Sequence, residues 1–229
     1  MNFREKNITI GSVVAELPKA SKIFGGYGID FCCGGHRNLD AVIREQGIPA
    51  EEIYQALEEA QREREDSYRD ISLNSMSPTA LSTYIEDRHH SYLREALPEI
   101  ADLLSTILRV HGSKHKELFE VYRLYGMLKS DLEQHLLREE TMLFPAFENE
   151  ADHREEISEL SAIIIGEHEA AGEVLEKLRH ATGHYHIPED VCGTFRKTYE
   201  LLEELEQDLH EHIHLENNIL LKQYDTRGN

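Results

Sequence analysis

Residues 124–145 read LYGMLKSDLEQHLLREETMLFP, and this stretch decides the fold. Its apolar side chains recur every three or four residues, which is the spacing of one face of an α-helix. The same face carries His135 and Glu139, which are four residues apart and therefore neighbours on the helix surface. Burying an imidazole and a carboxylate on an apolar face is costly unless both gain a partner. The pattern predicts a core helix with a polar site inside the protein.

Three more segments after residue 77 repeat this arrangement of apolar stripe and buried polar residue. His90 belongs to the first stripe, His168 to the third, and His212 with Glu216 to the fourth. The second stripe is expected to include Met142, and no strand pattern competes over this half of the chain. Short loops between the segments predict an all-α chain with an up-down four-helix bundle.

The four histidines are predicted to lie at one height, because residues equidistant from a turn are level in such a bundle. With turn centres near positions 113, 151 and 190, His90 and His135 are 23 and 22 residues from the first turn. His135 and His168 are 16 and 17 residues from the second turn, and His168 and His212 are each 22 from the third. An error of two residues moves a side chain only ~3 Å along the axis.

Six converging nitrogen and oxygen donors suit two metal ions better than one. Ligands without thiolate favour non-haem iron, with manganese as the other choice, whereas a structural zinc site uses four ligands, often with cysteine. A single buried histidine is more often hydrogen-bonded packing, and a single His-x-x-x-Glu is more often a solvated pair. The joint pattern favours a metal site with the following ligands: His90, His135, Glu139, His168, His212 and Glu216.

The remaining histidines near the stripes are assigned elsewhere. His111 lies 21 residues beyond His90, or ~30 Å along a continuous helix, and is therefore placed outside the site. His89, His210 and His214 flank the ligands and are expected to face mostly outward.

The first part of the chain is glycine-rich around Cys32 and Cys33. Helical pattern covers residues 13–24 and 40–46, and a further helix is expected to begin near Pro49. Periodicity is lost over residues 67–77. We therefore expect a small helical Cys-Cys domain at 1–66, a linker at 67–77, and the bundle at 78–229.

Two interpretations of the cysteine pair stay open. Glycines allow close approach of the backbone to a ligand or partner, and exposed thiols could bind iron, accept nitric oxide or exchange disulfides. The alternative is a structural turn with buried, inert thiols. Cys192, at the start of the fourth bundle segment, is expected to serve packing.

Composition excludes several classes of partner. With 24 Lys+Arg against 44 Asp+Glu the formal net charge is −20, which argues against nucleic acid and anionic membrane surfaces. No apolar run approaches the length of a membrane span, and residues 1–9 lack the apolar segment of a signal peptide. Three cysteines do not form a disulfide framework, so we expect a cytoplasmic location.

Five motifs connect the chain to a known family. They are GIDFCCGG at 28–35, REALPE at 94–99, HLLREE at 135–140 with LFP at 143–145, EHEAAG at 167–172, and HIHLENN at 212–218. With these motifs the chain resembles the Repair of Iron Centers proteins, which are di-iron members of the hemerythrin-like superfamily with a small cysteine-bearing amino-terminal domain.

The resemblance implies a role for each of the six ligands. All six would hold iron in an oxo- and carboxylate-bridged di-iron centre, with Glu139 and Glu216 as bridges and Glu140 as the adjacent non-ligand. The family often carries a histidine at position 111, which is left outside here on distance grounds. Oxygen-carrying hemerythrins use five histidines, so four at the right height imply a more open centre.

The resemblance also implies a bacterial protein of the nitrosative and oxidative stress response. It would help to repair iron-sulfur clusters in other proteins, by donating iron or by binding or reducing nitric oxide, and whether it is an enzyme is left open. Cys32 and Cys33 are candidates for a thiol step in iron transfer. The alternative function is an oxygen or redox sensor of hemerythrin type, and a homodimer is left open.

Overall fold

A computed structural model describes residues 3–4, 7–66 and 73–224, and the described chain is helical almost throughout. The helices are α1 Ile10–Glu16, α2 Ala20–Gly26, α3 Leu39–Gln46, α4 Ala50–Asp66, α5 Pro78–Ile85, α6 Ser91–His111, α7 Glu117–Arg138, α8 Phe144–Ala146, α9 Glu150–Ala181 and α10 Gly193–Leu215. Within these ranges the only β pairing is an isolated bridge between Thr9 and Asn38. The prediction of an all-α chain is confirmed.

The chain divides into two compact units. One comprises Met1–Leu81 together with His210–Asn229, and the other comprises Ser82–Leu209. The expected division at a linker over 67–77 stays a prediction, and its first part, residues 67–72, lies outside the described residues. Among the helices that the structure describes, none combines the length and apolar character that a membrane crossing requires.

Local capping explains where the first short helices begin and end. The Thr9 hydroxyl accepts from the Ser12 amide, and the Ser12 hydroxyl accepts in return from the Thr9 amide, so that α1 starts with a complete capping box. The prediction of continuous helix over 13–24 is wrong, because the helix is interrupted between Glu16 and Ala20. Pro18 disfavours helical backbone at Leu17, which lies outside the helical region at φ −131° and ψ 84°.

The unit Ser82–Leu209 has one apolar core to which four helices contribute. This core confirms the predicted helical bundle, and its buried members include Leu93, Leu97, Ile100, Leu104, Val121, Tyr125, Leu128, Leu175, Phe195, Tyr199 and Leu205. The Tyr125 hydroxyl donates to the Leu97 carbonyl oxygen across α6 and α7 at 2.7 Å. A buried phenol thereby gains the hydrogen bond it needs.

In the described part of the chain, three π-helical turns interrupt or end the helices, and each includes a predicted ligand. They span Glu86–His90, Glu139–Leu143 and Glu216–Leu220. A π turn inserts one residue into the helical repeat and so rotates all later side chains. The placement of Met142 in the core stripe is therefore wrong: Met142 is 48% exposed, and Leu143 is buried in its place.

In the unit formed by the amino-terminal and carboxyl-terminal segments, the Asn218 side chain fills a space that two glycines provide. A Cβ on Gly35 would lie 2.3 Å from Asn218 Oδ1 and 2.7 Å from Asn218 Nδ2, and a Cβ on Gly11 would lie 2.2 Å from the same Oδ1. The Asn218 amide also donates to the Phe31 and Cys32 carbonyl oxygens, at 3.3 and 3.2 Å. A side chain at either position would therefore force Asn218 to move.

We predict that Gly35→Ala lowers the free energy of unfolding by about 1–3 kcal/mol, because the new methyl group overpacks against Asn218. Adding Asn218→Ala removes the clashing atoms, so the double variant should lose less than the sum of the single variants. Denaturant unfolding measures all three. Gly26→Ala is the control, since no atom lies within 4 Å of its added Cβ. Strict additivity would show that this contact is not what requires glycine.

Candidate metal centre

Three predicted ligands in the bundle unit meet around buried donor atoms. His135, Glu139 and His168 each offer one donor, and these donors lie within 4.8 Å of one another. His135 Nε2 is 3.2 Å from His168 Nε2 and 3.3 Å from Glu139 Oε2. All three side chains are buried. The i, i+4 spacing of His135 and Glu139 places both on the inner face of the bundle at the end of α7.

His90 meets the same carboxylate from the end of the first π turn. Its Nε2 lies 3.3 Å from Glu139 Oε2, and its ring stacks on Phe144 with 5.5 Å between ring centroids. Glu139 thus contacts His90 as well as His135. Both imidazoles contact the same oxygen of Glu139, so this buried carboxylate lies where a metal ligand is expected.

The separations match those of ligands on a common ion. Two nitrogens bound to one ion at roughly 2.1 Å are about 3.0–3.4 Å apart, and the contacts among these donors measure 3.2–3.3 Å. The donor set is nitrogen and oxygen without sulfur, which suits iron or manganese. The residues present therefore fit a transition-metal centre.

Two outer carboxylates hold the imidazoles. His90 Nδ1 lies 2.8 Å from Glu140 Oε1, and His135 Nδ1 lies 3.0 Å from Glu167 Oε2. An Nδ1–H that donates to a carboxylate leaves the inner Nε2 with its lone pair facing Glu139, which is the tautomer a metal ligand needs.

Each outer carboxylate is itself fixed by an arginine. Arg94 donates to Glu140, and Arg138 donates to Glu167. Neither contact was predicted, since Glu167 was given no role and Glu140 was expected only to be a non-ligand. Their position next to a ligand in the chain, at 139–140 and 167–168, was the available signal.

The other two predicted ligands lie in the unit that contains His210–Asn229. His212 Nε2 is 3.1 Å from Glu216 Oε1, and both side chains are buried. Glu216 begins a π-helical turn, as Glu139 does, and its carbonyl oxygen accepts from the Leu221 amide at 2.7 Å. The two His-x-x-x-Glu motifs therefore share the same local structure.

The expectation that the flanking histidines face mostly outward is wrong for two of them. His89 is buried and lies 3.0 Å from Asp208 Oδ1. His214 is buried against Phe31, and its Nδ1 accepts from the Asn218 amide at 3.1 Å. Burial lowers the pKa of His214 to about 4, so this imidazole is neutral at physiological pH. His210, partly buried, also contacts the Phe31 ring.

Cys192 does not serve packing, because its thiol is exposed at the start of α10. Its sulfur lies 3.2 Å from His111 Nε2. Hydrogen bonds from the Phe195 backbone and from His111 lower the pKa of this thiol to about 7. His111 thus lies at the opposite end of α6 from His90, where the spacing argument placed it.

The cysteine pair lies in the amino-terminal unit and is not disulfide-bonded. Cys32 is buried, Cys33 is partly buried, and their sulfurs are 3.8 Å apart. The contact with Cys33 and burial raise the pKa of the Cys32 thiol. Cys32 Sγ also lies 3.2 Å from Asp30 Oδ1, a residue that the sequence analysis did not single out.

A helical bundle with imidazoles around a buried carboxylate defines a cation-binding protein of hemerythrin type. Two family models match the chain accordingly. Residues 82–224 match the hemerythrin HHE cation binding domain, and residues 6–61 match ScdA_N, which is described as a domain of unknown function.

Relatives that span nearly the whole chain identify the family. The iron-sulfur cluster repair protein YtfE of Musicola paradisiaca is 34% identical over 222 residues, covering 96% of each chain. The iron-sulfur cluster repair protein ScdA of Staphylococcus haemolyticus is 28% identical over 220 residues, covering 94% of this chain and 96% of its own. The chain belongs to this hemerythrin-domain iron-sulfur cluster repair family, which confirms the resemblance to the Repair of Iron Centers proteins.

We predict that Glu167→Ala weakens iron binding by about 10–100-fold, because removing an outer partner frees the imidazole it orients. Iron titration of the apo protein against a competing chelator measures the affinity. Glu133→Ala is the matched control, since Glu133 is exposed on α7 and pairs only with Lys129 among the contacts described. Equal affinities for the two variants would show that Glu167 has no role in holding His135.

Proposed function

We propose that the chain is a di-iron protein that helps to repair iron-sulfur clusters in other proteins. The observation that carries the proposal is the buried group of three imidazoles around Glu139. The hemerythrin match adds a cation-binding domain over the same residues, and the relatives carry the name of iron-sulfur cluster repair proteins. An oxygen or redox sensor is the second reading, and no observation favours it.

The proposed centre has six ligands. His212 and Glu216 would join the four ligands of the bundle unit. The support is their predicted level along the bundle axis, their burial, and the π turn that begins at the glutamate of each His-x-x-x-Glu motif. Glu139 and Glu216 are the proposed bridges, and the four imidazoles are terminal ligands.

When bound, a pair of iron ions supplies one-electron chemistry and open positions for a small ligand such as nitric oxide or oxygen. The side chains of this protein orient the ligands and exclude water. Glu140 and Glu167 contact the outer imidazole nitrogens of His90 and His135 and so orient the inner nitrogens towards Glu139. Phe144, which is buried and stacks on the His90 ring, helps to exclude water from that imidazole.

The proposed setting is the cytoplasm during nitrosative or oxidative stress. Iron-sulfur proteins are the proposed partners, and nitric oxide or oxygen is the proposed small ligand. Reduction of nitric oxide at the same centre is the enzymatic form of the proposal. Cys32 and Cys33 are proposed to take part in handling the metal.

Transfer of iron tests the proposed function directly. Anaerobic protein loaded with iron is mixed with an apo iron-sulfur protein, sulfide and a thiol reductant. The control reaction contains free ferrous iron at the same concentration, and both reactions contain a chelator. We expect the cluster absorbance of the acceptor to appear faster with the iron-loaded protein. Full retention of iron by the protein would overturn donation. Production of nitrous oxide on mixing the ferrous protein with nitric oxide would then favour reduction instead.

We predict that Glu139→Leu and Glu216→Leu each lose most bound iron while keeping their helical content, because leucine suits both core positions. Metal analysis of the purified variants and far-ultraviolet circular dichroism measure the two properties. Glu133→Leu, on the exposed face of α7, should bind iron like the wild type. Normal iron content in either core variant would refute its assignment as a ligand.

A further inference from the structure

The cysteine loop brings three metal-binding side chains together in the amino-terminal unit. Asp30, Cys32 and Cys33 each offer one donor atom, and the three atoms lie within 4.8 Å of one another. The two sulfurs are 3.8 Å apart, and Cys32 Sγ is 3.2 Å from Asp30 Oδ1. These donors belong to a single loop and share no residue with the proposed iron centre.

The sulfur separation is that of two thiolates on one tetrahedral ion. Bonds of ~2.3 Å at the tetrahedral angle place two sulfurs about 3.8 Å apart. A disulfide would need ~2.05 Å. The observed 3.8 Å therefore fits shared binding of one ion without rearrangement of either side chain. In this arrangement the ion replaces the proton that Cys32 shares with Asp30 Oδ1.

Backbone hydrogen bonds fix the loop in this conformation. Asp30 Oδ1 accepts from the Cys32 and Cys33 amides, both at 3.0 Å, and Oδ2 accepts from the Gly34 amide at 2.9 Å. A Cβ at Gly34 would lie 2.7 Å from the Asp30 carbonyl oxygen, so any other residue at this position would require the backbone of the turn to shift. The donors are consequently preorganised before any ion binds.

Asn218 holds the loop from the other side. Its amide donates to the Phe31 and Cys32 carbonyl oxygens, and it occupies the space left by Gly11 and Gly35. Asn218 touches no donor atom in these contacts. Its role in this loop is to position Cys32, whose buried sulfur has little freedom of its own.

We propose that Asp30, Cys32 and Cys33 bind one thiophilic divalent cation, such as Zn²⁺ or Fe²⁺, with Asn218 as a positioning residue. Two thiolates and a carboxylate supply three of four tetrahedral positions. The fourth is open to an outside ligand, because Cys33 is only partly buried and Asp30 is exposed. Binding forms two metal–sulfur bonds and releases the two thiol protons to solvent, with no change of oxidation state.

Cadmium is the probe for this site, because cadmium–thiolate bonds absorb in the ultraviolet and its bonds to imidazole and carboxylate do not. The full-length apo protein carries Cys192→Ser, so that only the loop thiols remain. We expect the thiolate absorbance to saturate at one cadmium ion per chain. Replacing both Cys32 and Cys33 with serine should abolish this absorbance. A wild-type absorbance in that variant, or none in the parent protein, would overturn the proposal.

Two further variants separate ligand from positioning roles. Asp30→Asn keeps an oxygen for the backbone amides but removes the charge, and should weaken cadmium binding by about tenfold or more. Asn218→Ala should weaken it by about tenfold with unchanged absorbance per ion, and unchanged affinity would refute its positioning role. Glu139→Leu should leave the thiolate absorbance unchanged. Loss of iron binding in the bundle would therefore leave cadmium binding by the loop intact. Loss of cadmium binding by the loop would likewise leave the proposed iron centre intact.

Discussion

The contact of Glu139 with two imidazoles is the constraint on which the bundle depends. Three histidines and a carboxylate are buried where the helical repeat calls for apolar side chains. Such a layer costs stability unless its members share a partner. The outer carboxylates Glu140 and Glu167 orient the imidazoles, and Arg94 and Arg138 fix those carboxylates. Binding of metal by this layer would couple to folding, so the polar layer that weakens the apo protein would stabilise the loaded one.

The helical part of the fold could be predicted because one period governs it. The core stripes through Leu132, Leu175 and Leu205 follow from the three-and-four spacing, and all three are buried. The prediction failed where the period changes. The π turn from Glu139 to Leu143 adds a residue that no hydrophobic pattern marks, so Met142 was placed inside and proved exposed. The polar ligand at the start of that turn was predictable, whereas the turn itself was not.

Most of the proposed ligands of the candidate sites could be predicted from the sequence, whereas the residues that hold them could not. The proposed iron ligands stand out because they are polar residues on apolar faces. The residues that hold them depend on contacts between distant segments, as in Glu167 with His135 and Asn218 with Cys32, and one sequence carries no sign of such pairs. Asp30 was missed for another reason, because a carboxylate in a glycine-rich loop looks like an ordinary turn residue. His214 was wrongly expected to face solvent, because it packs against Phe31 in the other unit and not in the core of the bundle.

Six side chains are proposed to hold two iron ions in this protein. Crystals of the anaerobically iron-loaded protein, measured at the iron absorption edge, test it most directly. We expect two anomalous peaks roughly 3.5–4 Å apart, both next to Glu139 and Glu216, with the four imidazole nitrogens divided between them. A single peak, or peaks remote from Glu139, would contradict it.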